Sequence, residues 1–586
     1  MLEVAGRRLE VAEETRPWLT RCERDARLGG VQITAESPTA AAPTSALARF
    51  GSAALILATL YVCYFSHLGA LGFVGPDEPR YAWVARAMVE TGDWVTPRLY
   101  GKPWFEKPVL FYWGAALSFK FFGVSEASAR LPSAVSALLA TLALAWLAWR
   151  MYSAETAGLV LLMLPTTVGM IGFSHAAATD MPFSGMLTTA MVAAAIVVGI
   201  VLPAGSAPPR TPIAALVAFG VFLGAATLAK GPAAIVLAGG GSGLWAFLTG
   251  RWRDAFRLAH PIATGAFCVT ALPWYVLCAL RNPGFLRVFI YEHNFARYLT
   301  PEFRHVQPIW FFGPILLLGL LIWTGFFGSV LKDAARAWRE GRWRNSPELF
   351  PASWAIFTFA FFTLSKSKLP GYILPAVPPL ILLAAHSVSL RLQSKVAGER
   401  WVGIMAGITL MGVGGGTLAS LNRIPFAVDY FPPPPSGPFG WAILVVVLGG
   451  IASIILGIHR RPSAALSACV LSLILAISLS MTGDSRRALN AGVSAGPIDR
   501  SYASANASAY KLSRSFQYAL NFYQHREVPE WSPDATQAGW VFVQAGQMNE
   551  LRALGLKCPA SIAYPALVVC QDPGLPGRAS DRRKAQ

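Results

Sequence analysis

Apolar residues run through this chain in long blocks rather than in alternation. Thirteen stretches are apolar and nearly free of charge: 50–75, 131–149, 156–179, 182–202, 211–229, 231–250, 258–280, 306–331, 349–365, 369–390, 401–422, 441–459 and 462–483. Each approaches the roughly 20 residues that a helix needs to cross the hydrocarbon of a bilayer, where only helices satisfy their own backbone. The pattern predicts thirteen transmembrane helices. Between the first two lies a loop, 76–130, in which Trp94, Tyr100, Trp104, Phe105, Tyr112 and Trp113 interleave with Lys102, Glu106 and Lys107, as in a segment lying in the membrane interface. After residue 483 the text turns polar, with strand-like runs Trp540–Val543 and Ala566–Val569 on either side of a helical pattern from Met548 to Leu556.

The expected organisation is therefore a tail (1–49), a transmembrane domain (50–483) and a small external α/β domain (484–586). The tail contains no apolar core followed by a small-residue cleavage site, which argues against a removable signal peptide and for a disordered or loosely helical cytoplasmic extension. With the N-terminus inside, the short inner loops hold 15 Lys and Arg and the outer ones 8, leaving aside the first loop, whose seven positives cancel the bias. An odd number of helices then places the C-terminus outside.

Composition agrees: 54% of the 586 residues are hydrophobic and 14% charged, against about a quarter charged in soluble domains. The formal charge of +18 lies mostly between residues 51 and 483, where it serves topology, anionic lipid headgroups or a phosphorylated lipid substrate. Nothing points to nucleic acid, and neither a P-loop nor a dinucleotide-binding glycine pattern is present. The seven cysteines have no C-x-x-C spacing; Cys558 and Cys570 form a disulfide if the C-terminal segment is exported, or stay as two buried thiols. Pro432–Pro435 reads as a stiff spacer.

The candidate chemistry begins in the first loop. Asp77 and Glu78 follow an apolar helix directly, where a carboxylate either caps the next helix or reacts at the membrane surface. Asp180 sits in a very short connection between two apolar helices, as a helix cap or as a used charge. Lys107, Lys230, Lys366 and Lys368 all fall in predicted outer connections, as snorkelling anchors or as phosphate contacts.

The series Asp77-Glu78-Pro79-Arg80-Tyr81-Ala82, then Phe105-Glu106-Lys107-Pro108, resembles the membrane glycosyltransferases of the GT-C fold. It is most similar to the protein O-mannosyltransferase-like group, glycosyltransferase family 39, and to its bacterial branch of lipid A aminoarabinose transferases. The resemblance continues through Ala178-Thr179-Asp180-Met181, Leu228-Ala229-Lys230-Gly231-Pro232, Tyr291-Glu292-His293-Asn294 and the run from Ser365 to Pro375, covering about residues 50 to 400. Pro79, Trp104 and Val109 depart from the usual family wording without removing a charged group.

The resemblance implies a helical bundle of GT-C type and a glycosyltransferase, hexosyl or pentosyl, acting on the outer membrane face. It would move a sugar from a polyprenyl-phosphate carrier to a lipid, glycan or protein acceptor. In such a reaction the leaving group is already a stable anion, so fixed cations matter more than a general acid; Lys107, Lys230 and Lys366 or Lys368 are the candidates. Asp77 matches the family's acidic residue and is expected to act as base or to orient the acceptor. Asp180 is expected as a sugar contact or second carboxylate, with Glu78, Arg80, Tyr81 and Tyr372 in the substrate cavity. Glu106 and His293 are the candidate ligands of a divalent ion; no nucleotide cofactor is expected. The competing reading is a flippase or transporter of lipid-linked sugars, which would place its polar groups in broken helices near the midplane.

Overall fold

The computed structural model describes residues 46–201, 212–296, 307–393, 399–421, 438–496, 507–534, 538–559 and 567–574. Residues 1–45 of the expected tail, the tetraproline spacer and the side chain of His293 lie outside the described residues. The chain divides into two compact units, residues 1–52 and 53–586, and the architecture below is that of the second.

Helices α1 (Ala46–Tyr64), α2 (Asp77–Thr91), α3 (Leu110–Phe122), α4 (Glu126–Met151), α5 (Ala154–Met163), α6 (Val168–Ser174), α7 (Asp180–Val197), α8 (Ile213–Lys230), α9 (Ala233–Thr249) and α10 (Pro261–Arg281) come first. They are followed by α11 (Phe312–Arg339), α12 (Leu349–Leu364), α13 (Pro370–Gln393), α14 (Glu399–Leu421), α15 (Pro438–Ile458) and α16 (Pro462–Ser480). Among the described residues nine helices are long and apolar enough to span a bilayer; α5 and α6 add a span bent by 61°. Three shorter apolar helices, Phe50–Tyr64, α9 and α12, account for the rest of the predicted stretches. Where spans touch, small residues let them close: a Cβ on Gly220 would stand 2.2 Å from the Ala263 carbonyl, so α8 and α10 meet backbone to backbone.

The first loop holds more structure than an interface segment. Asp77 and Glu78 occupy the first turn of α2, where carboxylates complement the helix dipole, and Pro79 falls where its missing N–H is not needed. A hairpin follows, Arg98–Leu99 (β1) with Lys102–Pro103 (β2), turning through Tyr100 and Gly101 at φ 51° and 77°. α3 then leaves Phe121 and Phe122 exposed at 72% and 71%, rings suited to the membrane interface. Tyr81, Met88, Phe111, Tyr112, Trp274 and Phe522 share one hydrophobic core, which fixes this loop to α10 and to the C-terminal segment.

That segment is the expected small α/β unit. After α17 (Gly483–Val493), strand β3 (Ala507–Tyr510) pairs in parallel with β4 (Gly539–Gln544), and β4 pairs antiparallel with β5 (Leu567–Asp572). Helices α18 (Arg514–Gln524) and α19 (Met548–Ala553) pack on the sheet, and Cys558 and Cys570 are disulfide-bonded. The sequence pattern predicts β4, α19 and β5; β3 and α18 are additions, short and of mixed polarity.

Candidate active site

The candidate site is made of two ionic clusters. In the first, the buried Arg80 donates through Nε to the Pro76 carbonyl (3.0 Å), through Nη1 to Glu106 (3.1 Å) and through Nη2 to Asp77. Lys107 closes on the other Glu106 oxygen at 3.9 Å. Burial opposes the Arg80 charge, but the Glu106 and Asp77 carboxylates outweigh it and hold the guanidinium protonated well above its ordinary range. The Asp77 side chain is 46% exposed and that of Glu106 15%; of the two carboxylates on Arg80, Asp77 is the one a substrate reaches. Tyr81 and Tyr112 pack edge to face at 5.8 Å beneath the pair, and burial raises both phenols far above their usual range, so they are neutral at any working pH.

The second cluster is built by α7, α8 and the turn entering α13. Lys230, the last residue of α8, donates to Asp180, the first residue of α7, and lies 4.5 Å from the Tyr372 ring centre. Gly371 makes this possible. A Cβ there would stand 2.4 Å from Asp180 Oδ1, so only glycine admits the carboxylate. Lys366 is exposed, whereas Lys368 is buried and donates to the Ser365 and Gln307 carbonyls at 2.6 and 3.3 Å. Removal from water and the neighbouring Lys366 charge lower the Lys368 pKa.

The two clusters are joined through the buried Glu78. Its carboxylate accepts from Arg130 Nε (2.9 Å) and Nη2 (2.8 Å), from the Val74 N–H and from the Ala177 N–H (both 2.7 Å). Glu78 is thus fully occupied, a strut rather than a contact for a ligand. Arg130, at the start of a span, is the residue that sequence reading missed; a lone arginine opening an apolar helix was the available signal. Tyr518, discussed below, carried no local signal.

Among the described residues no group of three or more His, Cys, Asp or Glu stands together. Glu106, one of the two expected ligands, already faces Arg80 and Lys107.

Comparison with known proteins places the fold in a family. The family described as dolichyl-phosphate-mannose-protein mannosyltransferase matches residues 50–289. The undecaprenyl phosphate-alpha-4-amino-4-deoxy-L-arabinose arabinosyl transferase of Pseudomonas aeruginosa (strain UCBPP-PA14) is 31% identical over 428 residues, 72% of this chain and 74% of that protein. Its counterpart in Edwardsiella ictaluri is 28% identical over 431 residues, 72% of this chain and 76% of that protein. The crystal structure of ArnT from Cupriavidus metallidurans in the apo state superimposes with a TM-score of 0.70 at 25% identity, covering 89% of this chain and 98% of that one. The same enzyme bound to undecaprenyl phosphate gives 0.69. The chain belongs to this arabinosyl transferase family of GT-C membrane glycosyltransferases and is a multi-pass membrane enzyme that moves a sugar from a polyprenyl-phosphate carrier to an acceptor.

Proposed function

We propose that the enzyme transfers an aminopentose, 4-amino-4-deoxy-L-arabinose, from undecaprenyl phosphate to lipid A on the outer face of the bacterial inner membrane. The relatives' donor supports the sugar, and the observation that carries the site is the exposed Asp77 held by Arg80 beside Glu106 and Lys107.

An acceptor oxygen attacks the anomeric carbon as the bond from that carbon to the carrier phosphate breaks. The bonding pair stays on the phosphate oxygen, and the carrier leaves as a phosphate monoester. Its added charge calls for cations held nearby, which Lys107, Lys230 and Lys366 supply. A phosphate acceptor needs only to be oriented; a hydroxyl acceptor gives its proton to Asp77. Arg80 holds the Asp77 carboxylate in place by its hydrogen bond. Asp180, tethered by Lys230, is placed to contact the sugar once the carrier phosphate draws the lysine toward itself. Glu106 and His293 are the proposed ligands of a divalent ion, which would supply positive charge; because Glu106 already faces Arg80 and Lys107, no step is routed through it.

The test is transfer from radiolabelled undecaprenyl-phosphate aminoarabinose to lipid A in detergent. Asp77→Asn and Lys107→Ala are expected to lower the rate at least about 100-fold, and chelation to lower it reversibly. Full transfer in both purified variants overturns the assignment of the site. A wild-type protein that moves the carrier across vesicles without transferring sugar overturns the reaction.

A further inference from the structure

Between the first-loop hairpin and the C-terminal α/β unit lies a cleft of about 460 Å³, lined by Tyr100, Lys102 and Trp104 on one side and Gln517, Tyr518 and Glu527 on the other. Its volume is that of a small-ligand site. Two of its lining rings adjoin the first ionic cluster: the Arg80 guanidinium carbon lies 5.6 Å from the Trp104 ring centre and 5.2 Å from that of Tyr518.

Three features mark this cleft as built for a ligand. Trp104, one of the lining residues, keeps a buried Nε1–H donor without a hydrogen-bond partner, an unmet polar group in the cleft wall. Tyr100 and Tyr518 present nearly parallel rings, 6.5 Å apart and 23° from coplanar, and aromatic faces of this kind pack against the C–H faces of sugar rings. Tyr100 also takes the left-handed φ of 51° at the hairpin turn, a conformation disfavoured for an aromatic residue. It is held there by an Asn521 Nδ2 donor on its hydroxyl at 2.9 Å and by edge-to-face contact with Trp83 at 4.8 Å. A less costly residue would serve a plain turn; strain retained at the mouth of a cleft marks a position fixed for its side chain. Lys102, exposed on the hairpin, adds a cation at the same mouth.

We infer that this cleft is the acceptor subsite, which holds a phosphorylated saccharide headgroup with its sugar ring on Tyr518 and its phosphate near Lys102. The inference rests on the transferase reading of the neighbouring site. It also gives the C-terminal unit a role in recognition. Tyr518 and Gln517 supply one wall of the cleft, so acceptor choice depends on a segment more than 400 residues from the catalytic loop.

The experiment measures binding apart from catalysis. Lipid A bisphosphate in detergent micelles, and soluble glucosamine 1-phosphate, are titrated into the full-length protein while its tryptophan fluorescence is followed. Undecaprenyl phosphate affinity is measured in parallel. Lys102→Glu and Tyr518→Ala are expected to weaken lipid A bisphosphate binding at least tenfold, with carrier affinity changed less than twofold and Tyr518→Phe restoring most of the loss. Glucosamine 1-phosphate competing with lipid A in the wild type identifies the headgroup as the recognised part; no competition overturns headgroup recognition. Unchanged lipid A binding in both variants overturns the subsite, and so does an equal loss of carrier affinity, which would mark a general disturbance of the loop. Binding that behaves as expected in a protein that fails to transfer sugar overturns the reaction and leaves the cleft standing.

Discussion

Glu78 accepts a hydrogen bond from the backbone N–H of Ala177 at 2.7 Å while its other partners include both Arg130 donors. This contact fastens the first turn of α2, which carries Asp77, to the connection that ends at Asp180. Replacing Glu78 by Gln keeps its volume and removes the charge, leaving Arg130 buried without its ion-pair partner. Loss of one member of a buried pair costs about 3–5 kcal/mol. Glu78→Gln is therefore expected to lower the detergent melting temperature clearly and to impair transfer. A melting temperature equal to the wild type's would show that the strut carries little.

Gly371→Ala tests the neighbouring cluster. The new Cβ would lie 2.4 Å from Asp180 Oδ1 and 2.9 Å from the Phe173 ring, so the carboxylate has to move away from Lys230. Overpacking of this kind costs about 1–3 kcal/mol. We expect at least a fivefold loss in kcat/KM. Kinetics indistinguishable from the wild type would mean that the carboxylate relocates freely.

Asp180 and Lys230 are expected to be coupled. In a cycle of Asp180→Asn, Lys230→Gln and the double variant, contacting residues give interaction energies of about 0.5–3 kcal/mol. Carrier affinity measured across the cycle should depart from additivity by that amount. Strict additivity would separate the pair functionally.

Acid should loosen the hairpin. Burial pushes the Asp93 carboxyl up, but the N–H groups of Thr96 and Val95 together with Arg98 and Arg281 overcome this and hold it below the usual carboxylate range. Because the folded pKa is depressed, the stabilisation is complete above the unfolded value of about 4 and is lost as pH falls through the folded one. The stability difference between wild type and Asp93→Asn should therefore shrink below about pH 4. Melting curves of the two proteins across this range provide the check; a constant difference contradicts the assigned role.

Reduction should affect the C-terminal unit first. The Cys558–Cys570 bond closes a loop with a sequence separation of 12, and a link of that span contributes on the order of 2–4 kcal/mol. Hydrogen exchange in β4 and β5 is expected to accelerate under reductant while α7 and α8 stay protected. Equal rates with and without reductant would contradict this.

The bundle was legible in the sequence because lipid makes it a local matter. A segment without water must satisfy its own backbone, so each apolar stretch became a helix or a bent pair. The strands β4 and β5 were legible for a similar reason, as short apolar runs in polar text. Asp77, Glu78 and Arg80 were visible as residues with chemistry, and so was each lysine.

Their assignments were decided elsewhere. Adjacent carboxylates at 77 and 78 part company because α2 turns one toward solvent and the other into Arg130, 52 residues away. Lys366 and Lys368 differ likewise, one exposed and one tied to Ser365 and Gln307. Tyr518 reaches Arg80 only because the C-terminal helix packs over the first loop. Hydrophobic period and composition fix what each segment becomes on its own, since backbone satisfaction and burial act over a few residues. Which charges meet depends on the packing of segments hundreds of residues apart, and no local pattern records that.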